Sequence, residues 1–258
     1  MRITQNILTK NPCYTAGQKI AVKGLMLHSV GCPQPSASAF INNWNSVNYN
    51  RACVHAFIDG NTGVVHQTLP WNHRGWHGGG SVNNTHIGVE MCEPACITYT
   101  GGSTFKCSDF TTARAVVQRT YDTAVALFAH LCKQYGLNPL ADGVIISHKE
   151  GGNRGVASKH ADPEHLWNQL GMGYTMDTFR KAVHTAMNGT TSFAPYLVKI
   201  TASTLNVRKG GGISHPITTM VKKGEVYTIV GEYMNGSTKW GKLKSGAGWI
   251  SLKYTQRI

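Results

Sequence analysis

The chain has 258 residues, of which 41% are hydrophobic and 14% are charged, a composition typical of a folded globular protein with a sizeable core. No stretch approaches the run of about 18 apolar residues that a membrane-spanning helix needs, and the N-terminal segment lacks the apolar centre and cleavage site of a secretory signal. The formal net charge of +13 suits an anionic polymer as partner, nucleic acid among them, although a merely solvated basic surface explains it equally well.

The seven cysteines are scattered along the chain and odd in number. None forms a C-x-x-C pair, and Cys92 and Cys96 have no second pair with which to complete a structural zinc site. This usage is typical of reduced thiols in a protein made in a cytoplasm. A function outside the cell would then require a route of release other than a signal peptide.

The first predicted strand, residues 20–28, changes from alternating to continuous apolar residues and ends on His28. A histidine at a strand end is more often a structural residue than a ligand, so His28 alone is weak evidence for a binding site. The segment Pro33-Gln34-Pro35-Ser36 contains helix-start signals, and a short helix is predicted to follow it as far as Trp44.

A β-hairpin is predicted next, because the β-rich segments 53–58 and 63–68 flank an Asp-Gly-Asn turn. A loop rich in Trp and Gly follows, and residues 85–91 form another predicted strand. Alternation along that strand places Val89 and its apolar neighbours on one face and Glu90 on the other. Glu90 is therefore expected on the polar face of the strand.

The clearest helix is predicted over residues 109–135, where apolar residues recur every three or four positions and Gly136 stands at the C-cap. Such regular spacing indicates core packing. A short buried strand, residues 143–147, ends just before His148, and a last helix is predicted for 175–187. Strands that alternate with helices, with a hairpin among them, predict an α/β domain with a mixed central β-sheet flanked by helices.

The sequence changes in character after residue 187. Residues 188–195 are small, end in a proline and are typical of a linker. Residues 196–258 have no helical periodicity, and their short β-rich runs separated by turns predict a small all-β barrel. They contain ten Lys/Arg and two Asp/Glu, whereas residues 1–195 contain fifteen and ten, so the tail is the cationic part. Three parts are thus predicted: residues 1–187, 188–195 and 196–258.

The segment 145–167 concentrates side chains that can bind a metal ion, namely His148, His160, Asp162 and His165. Imidazole nitrogen and carboxylate oxygen are ligand types that a catalytic zinc ion accepts, and such a site uses three protein ligands and keeps a fourth position open. The segment is therefore a candidate for part of a zinc site that is completed from elsewhere in the chain.

Four short motifs, in this order, resemble the type 2 N-acetylmuramoyl-L-alanine amidases, zinc enzymes related to phage lysozyme-amidases and peptidoglycan recognition proteins. The motifs are Leu27-His28-Ser29, Val89-Glu90, Ser147-His148-Lys149-Glu150 and Lys159-His160-Ala161-Asp162-Pro163. The resemblance covers roughly residues 20–187. It implies hydrolysis of the amide bond between N-acetylmuramic acid and the L-alanine of the peptidoglycan stem peptide.

Carried over by motif, the resemblance implies one zinc ion bound by His28, His148 and Asp162. Glu90 is the implied general base, which takes a proton from the attacking water. His160 stands two residues before the last ligand, where many family members have lysine, and is the implied group that stabilises the oxyanion.

A weaker expectation concerns substrate contacts. Family-like sequence around residues 54–59 and 75–79 implies that His55, Trp76 and His77 lie near the groove, where they would touch glycan or stem peptide. Local hydrogen bonding by the histidines and packing of the loop by the tryptophan remain the simpler alternatives. His165 is expected to be a bystander.

The tail resembles a bacterial SH3-type cell-wall-binding module. The resemblance rests on Thr204-Leu205-Asn206-Val207-Arg208, Lys223-Gly224-Glu225-Val226-Tyr227, Trp240-Gly241-Lys242-Leu243 and Gly248-Trp249-Ile250, and it covers nearly all of residues 196–258. A catalytic domain joined to such a module resembles a bacteriolytic phage or prophage endolysin that acts on a Gram-positive wall after holin-type export or lysis. Peptidoglycan would then be both the substrate and the wall ligand.

Two other functions stay open. A non-catalytic peptidoglycan-binding or recognition protein on the same scaffold would lack a metal ligand, whereas all three are present here. A nucleic-acid-binding protein would account for the basic charge, but the sequence has no helix with clustered Lys/Arg and no nucleic-acid motif. We therefore expect neither a nucleic-acid partner nor membrane insertion.

Overall fold

The computed structural model describes residues 1–188, 195–236 and 238–258. The chain divides into two compact units, Met1–Asn188 and Gly189–Ile258. Residues 189–194, most of the predicted linker, lie outside the described residues. Over the described ranges, every helix is too short or too polar to cross a membrane. The seven cysteines all fall within these ranges and are free thiols.

A six-stranded mixed sheet forms the centre of the first unit, in the order β1-β4-β3-β5-β2-β8, and β6 pairs with β7 in a separate hairpin. The strands are β1 (Ile3–Gln5), β2 (Gly24–Ser29), β3 (Ala56–Ile58), β4 (Val65–Gln67), β5 (His86–Met91), β6 (Ile97–Gly101), β7 (Thr104–Cys107) and β8 (Ile145–Ser147). The predicted hairpin is confirmed, because β3 and β4 pair antiparallel. The predicted mixed sheet is confirmed as well, since β2 runs parallel to both β5 and β8.

The helices of this unit are α1 (Pro12–Thr15), α2 (Ala37–Trp44), α3 (Phe110–Tyr135), α4 (His148–Asn153), α5 (Glu164–Gln169) and α6 (Met176–Met187). As the sequence predicts, helices flank the sheet: α3, α4 and α6 pack against its strands. The long helix α3 begins where expected, because the Asp109 side chain accepts a hydrogen bond from the Thr112 N–H at 3.0 Å. It ends at Gly136, whose φ of 64° is a left-handed conformation that glycine adopts without strain.

Several short elements that border the site were not predicted, among them the hairpin β6–β7 and helix α4. In the hairpin β6–β7 only Ile97 and Phe105 are buried, so the apolar pattern is too weak to identify strands. Helix α4 contains two glycines, which disfavour helix. It forms nevertheless, because Ser147 and Glu150 cap its N-terminus reciprocally.

The second unit is all-β over its described residues, as predicted, and the seven strands found there form one sheet in the order β11-β10-β14-β13-β12-β9-β15. The strands are β9 (Tyr196–Ile200), β10 (Thr204–Arg208), β11 (Ile217–Lys222), β12 (Val226–Asn235), β13 (Thr238–Leu243), β14 (Trp249–Ser251) and β15 (Thr255–Arg257). Paired strands run antiparallel, and Val207, Ile229 and Ile250 lie in the core between them. Strands β11 and β15 were not predicted, because Val221 is the one buried residue of β11 and β15 has none.

The register of the parallel strands determines where the site lies. His28 on β2 pairs with Glu90 on β5, and Leu27 on β2 pairs with Ser147 on β8. The three strands therefore end at one edge of the sheet. In α/β sheets the carboxyl ends of the strands are the usual place for a binding site.

Candidate metal centre and cleft

His28, His148 and Asp162 meet at this edge, and one ligand atom from each lies within 4.8 Å of the others. The Nδ1 atoms of the two histidines are 3.0 Å apart. Asp162 Oδ2 lies 3.4 Å from His28 Nδ1 and 3.5 Å from His148 Nδ1. All three side chains are buried. The structure thus brings the three predicted ligands into one cluster.

Each ligand comes from a different element. His28 is the penultimate residue of β2, and His148 is the first residue of α4, directly after β8. Asp162 lies in the loop between α4 and α5. The two histidines are 120 positions apart in the sequence, so only the parallel pairing of β2 with β8 brings them together.

The chemistry of this donor set fits a divalent metal ion. Two imidazole nitrogens and one carboxylate oxygen are a ligand set of catalytic zinc sites, and a cleft of about 700 Å³ beside the cluster leaves room for a further ligand. Burial lowers the pKa of His28, which favours the neutral ring that can bind a metal. Burial disfavours an ionised Asp162, but the close approach of His148 and His28 outweighs it and holds the pKa of Asp162 below the usual value.

Glu90 lies beside the cluster and lines the cleft. Its Oε2 atom is buried and has no hydrogen-bond partner among the described residues. Burial, followed by repulsion from Asp162 and Glu93, raises its pKa well above the usual value. An unpartnered buried carboxylate is costly to fold, and such groups concentrate at functional sites. Glu90 is therefore placed to exchange a proton with a molecule in the cleft.

His160 lies at the rim of the cleft, with 54% of its side chain exposed. Its ring stacks on His148 with the centroids 4.1 Å apart, and its Nδ1 is 3.7 Å from Asp162 Oδ1. Burial, followed by the neighbouring His148, lowers its pKa. The exposed part of the ring can donate a hydrogen bond to a group bound in the cleft.

A polar cluster that the sequence analysis did not identify lines the same cleft. The Tyr99 hydroxyl donates to Glu93 Oε2 at 2.7 Å, and it lies 2.7 Å from His165 Nε2. His165, expected to be a bystander, is part of the cleft lining, as is Tyr99. Tyr99 belongs to the unpredicted hairpin β6–β7, so nothing in the sequence indicated that Tyr99, Glu93 and His165 lie together.

The three predicted substrate contacts lie in different surroundings. His55 has no exposed surface, and its ring nitrogens are hydrogen-bonded to backbone groups. Trp76 packs on a small apolar cluster that includes Cys53. Only His77 lines the cleft, and its ring is hydrogen-bonded to His28. The positions of His55 and Trp76 give no support to contact with substrate.

Two family models match the chain. The model described as N-acetylmuramoyl-L-alanine amidase matches residues 18–165, which include the three clustered ligands. The model described as bacterial SH3 domain matches residues 203–256. No curated protein sequence matches the chain.

Solved structures share the fold of the first unit. The Staphylococcus aureus hydrolase AmiA, solved in complex with its ligand, matches with a TM-score of 0.54 and 20% identity over 72% of this chain and 83% of that one. The PlyG catalytic domain matches with a TM-score of 0.51 and 18% identity over 74% of this chain and 99% of that one. At these identities the likeness concerns the fold.

Replacing any one ligand, by His28→Ala, His148→Ala or Asp162→Ala, is expected to abolish stoichiometric zinc binding, because two ligands do not form a stable site. The measurement is elemental analysis after incubation with zinc and gel filtration. His130→Ala is the matched control, since His130 is exposed on α3. Full zinc content in all three ligand variants would disprove the site.

Proposed function

The chain belongs to the N-acetylmuramoyl-L-alanine amidase family, and on that basis we propose that its first unit cleaves the amide bond between N-acetylmuramic acid and L-alanine with one zinc ion held by His28, His148 and Asp162. The chain is thus a peptidoglycan amidase. One observation supports the proposed bond and zinc ligands most strongly: the three ligands lie together beside Glu90 in an open cleft.

The bond to be cleaved is an ordinary amide, which is inert in water without catalysis. A bound zinc ion supplies Lewis-acid polarisation of the carbonyl and makes water more acidic. Glu90 takes the proton from the attacking water and passes it to the departing amine of L-alanine, a role that its position in the cleft supports. His160 donates a hydrogen bond to the oxyanion of the tetrahedral intermediate.

The second unit attaches the enzyme to the wall in this proposal. Its match to the bacterial SH3 domain model supports wall binding, and its excess of eight positive charges, from ten Lys/Arg and two Asp/Glu in residues 196–258, suits an anionic surface. A wall amidase joined to a wall-binding module is suited to lysing Gram-positive cells, as an endolysin does. Holin-type export or cell lysis would bring it to the wall.

Incubation of the purified protein with Gram-positive cell walls tests the activity. We expect the turbidity to fall and new L-alanine amino termini to appear, because the proposed bond carries the amino group of L-alanine. New reducing sugar ends without new amino ends would identify a glycosidase instead. Wall binding without any new ends would identify a non-catalytic recognition protein.

Glu90→Gln is expected to keep the fold and the zinc content and to lower kcat by about 10²–10⁴-fold, because an amide cannot accept the proton. Turnover is measured on a soluble muramyl peptide, and zinc by elemental analysis. A variant with wild-type kcat would remove Glu90 from the mechanism. Loss of zinc from this variant would instead assign the carboxylate to the metal site.

His160→Ala is expected to lower kcat by about 10²–10³-fold with little change in KM, because an oxyanion donor acts mainly in the transition state. Lys159→Ala is the matched control, because Lys159 is the adjacent residue and also lines the cleft. A change confined to KM in His160→Ala would indicate substrate binding. A kcat loss in Lys159→Ala alone would move the role to the lysine.

A further inference from the structure

In both ligand histidines, Nδ1 is the ring nitrogen that faces Asp162 and the other histidine. Their Nδ1 atoms lie 3.0 Å apart, and each is within 3.5 Å of Asp162 Oδ2. The Nε2 atoms are hydrogen-bonded to residues outside the cluster. A nitrogen that binds a metal ion carries no proton, so a neutral ring that binds through Nδ1 must carry its proton on Nε2. The partners of the Nε2 atoms therefore affect which nitrogen is free for the metal.

The partner of His28 is His77. His28 Nε2 lies 3.0 Å from His77 Nδ1, and His77 Nε2 lies 3.1 Å from the backbone carbonyl oxygen of His86. Because a carbonyl oxygen only accepts, His77 Nε2 carries the proton, and Nδ1 of the neutral ring is an acceptor. His77 Nδ1 therefore accepts a hydrogen bond from the N–H group of His28 Nε2. His28 Nδ1 is left with a lone pair that faces the cluster.

The partner of His148 is Ser158, which acts on His148 as His77 acts on His28. His148 Nε2 lies 3.1 Å from Ser158 Oγ, which donates its own proton to the backbone carbonyl oxygen of Gly78 at 3.3 Å. A hydroxyl has one proton, so Ser158 Oγ accepts from His148 Nε2. His148 Nδ1 is then also left with a lone pair towards the cluster.

One loop anchors both partners. Ser158 N–H donates to the Gly78 carbonyl at 2.8 Å, while Asn83 Oδ1 accepts from the N–H groups of His77 and Gly78 at 3.0 and 2.8 Å. The His77 ring lies against Gly88 of β5, where an added Cβ would come within 2.3 Å of the ring. Backbone groups and the Asn83 side chain thus hold His77 and Ser158 in position.

We propose that His77 and Ser158 are positioning residues of the metal centre, which hold the protons of His28 and His148 on Nε2 so that each ring binds the ion through Nδ1. This inference rests on the proposed zinc site. It assigns to His77 a role other than the substrate contact expected from the sequence. Replacing a residue that hydrogen-bonds to a metal ligand typically lowers the metal affinity by about 10–100-fold.

The first test identifies the ligand nitrogens directly. Nitrogen NMR of the zinc-loaded protein with ¹⁵N-labelled histidine distinguishes a ring that binds through Nδ1 from one that binds through Nε2. We expect Nδ1 coordination and a protonated Nε2 for both His28 and His148. Coordination of zinc through Nε2 by either ring would overturn the inference. This result does not depend on amidase activity, so the wall assay and this experiment fail independently.

The second test uses paired variants and zinc affinity measured by competition with a chromophoric chelator. Ser158→Ala is expected to weaken zinc binding about 10–100-fold and Ser158→Thr to restore it, because threonine keeps the hydroxyl. His77→Leu and His77→Asn form a second pair, in which asparagine keeps an acceptor near Nδ1. Ser108→Ala is the control, since it removes a hydroxyl bonded to the carbonyl of Cys96 at 3.1 Å.

The outcomes separate positioning from a structural role. Weaker zinc binding in Ser158→Ala and His77→Leu, with unchanged thermal unfolding of the metal-free protein and recovery in the conservative variants, supports the inference. Wild-type affinity in both Ser158→Ala and His77→Leu would overturn it. An equal loss of affinity in Ser158→Ala and Ser158→Thr, with lower thermal stability in both, would also overturn it, because packing would then explain the loss.

Discussion

The parallel pairing of β2 with β5 and β8 is the constraint on which the site depends. It puts His28 beside Glu90 and brings β8 to its end directly before His148. Side chains alternate along a strand, so a slip of one residue would turn His28 to the opposite face of the sheet. The buried apolar residues of β2 and β5, such as Leu27 and Val89, hold that register. The same burial therefore builds the core and aligns the site.

Negative charge is concentrated around the cluster. Burial and repulsion from neighbouring carboxylates, Asp162 among them, raise the pKa of both Glu90 and Glu93. Gathering acidic groups in a buried place opposes folding, so proteins keep such arrangements mainly where function requires them. A divalent cation between the ligands would compensate this charge. The electrostatics and the donor set thus favour the same kind of occupant.

The two units suit different tasks. In the first, the cleft collects titratable groups from β5, α4 and the hairpin β6–β7, so several parts of the chain build one candidate site. In the second, the seven described strands enclose a small apolar core, and residues 196–258 carry eight of the thirteen net positive charges. Converging side chains suit the first unit to chemistry, whereas the second unit, which matches the bacterial SH3 domain model, gathers no comparable cluster of metal-binding side chains among its described residues.

The sequence by itself identified the chemically distinctive residues, because few residue types bind zinc and because His28, His148 and Asp162 lie in short recognisable motifs. Local periodicity also predicted α3 and the strands that carry His28 and Glu90. Tertiary structure decided which ring nitrogens face the cluster, and it joined Tyr99 to the cleft. These features depend on contacts between segments far apart in the chain, such as the contact between His28 and His77, which are 49 positions apart. Local sequence patterns do not encode such contacts, since they form only when the sheet has assembled.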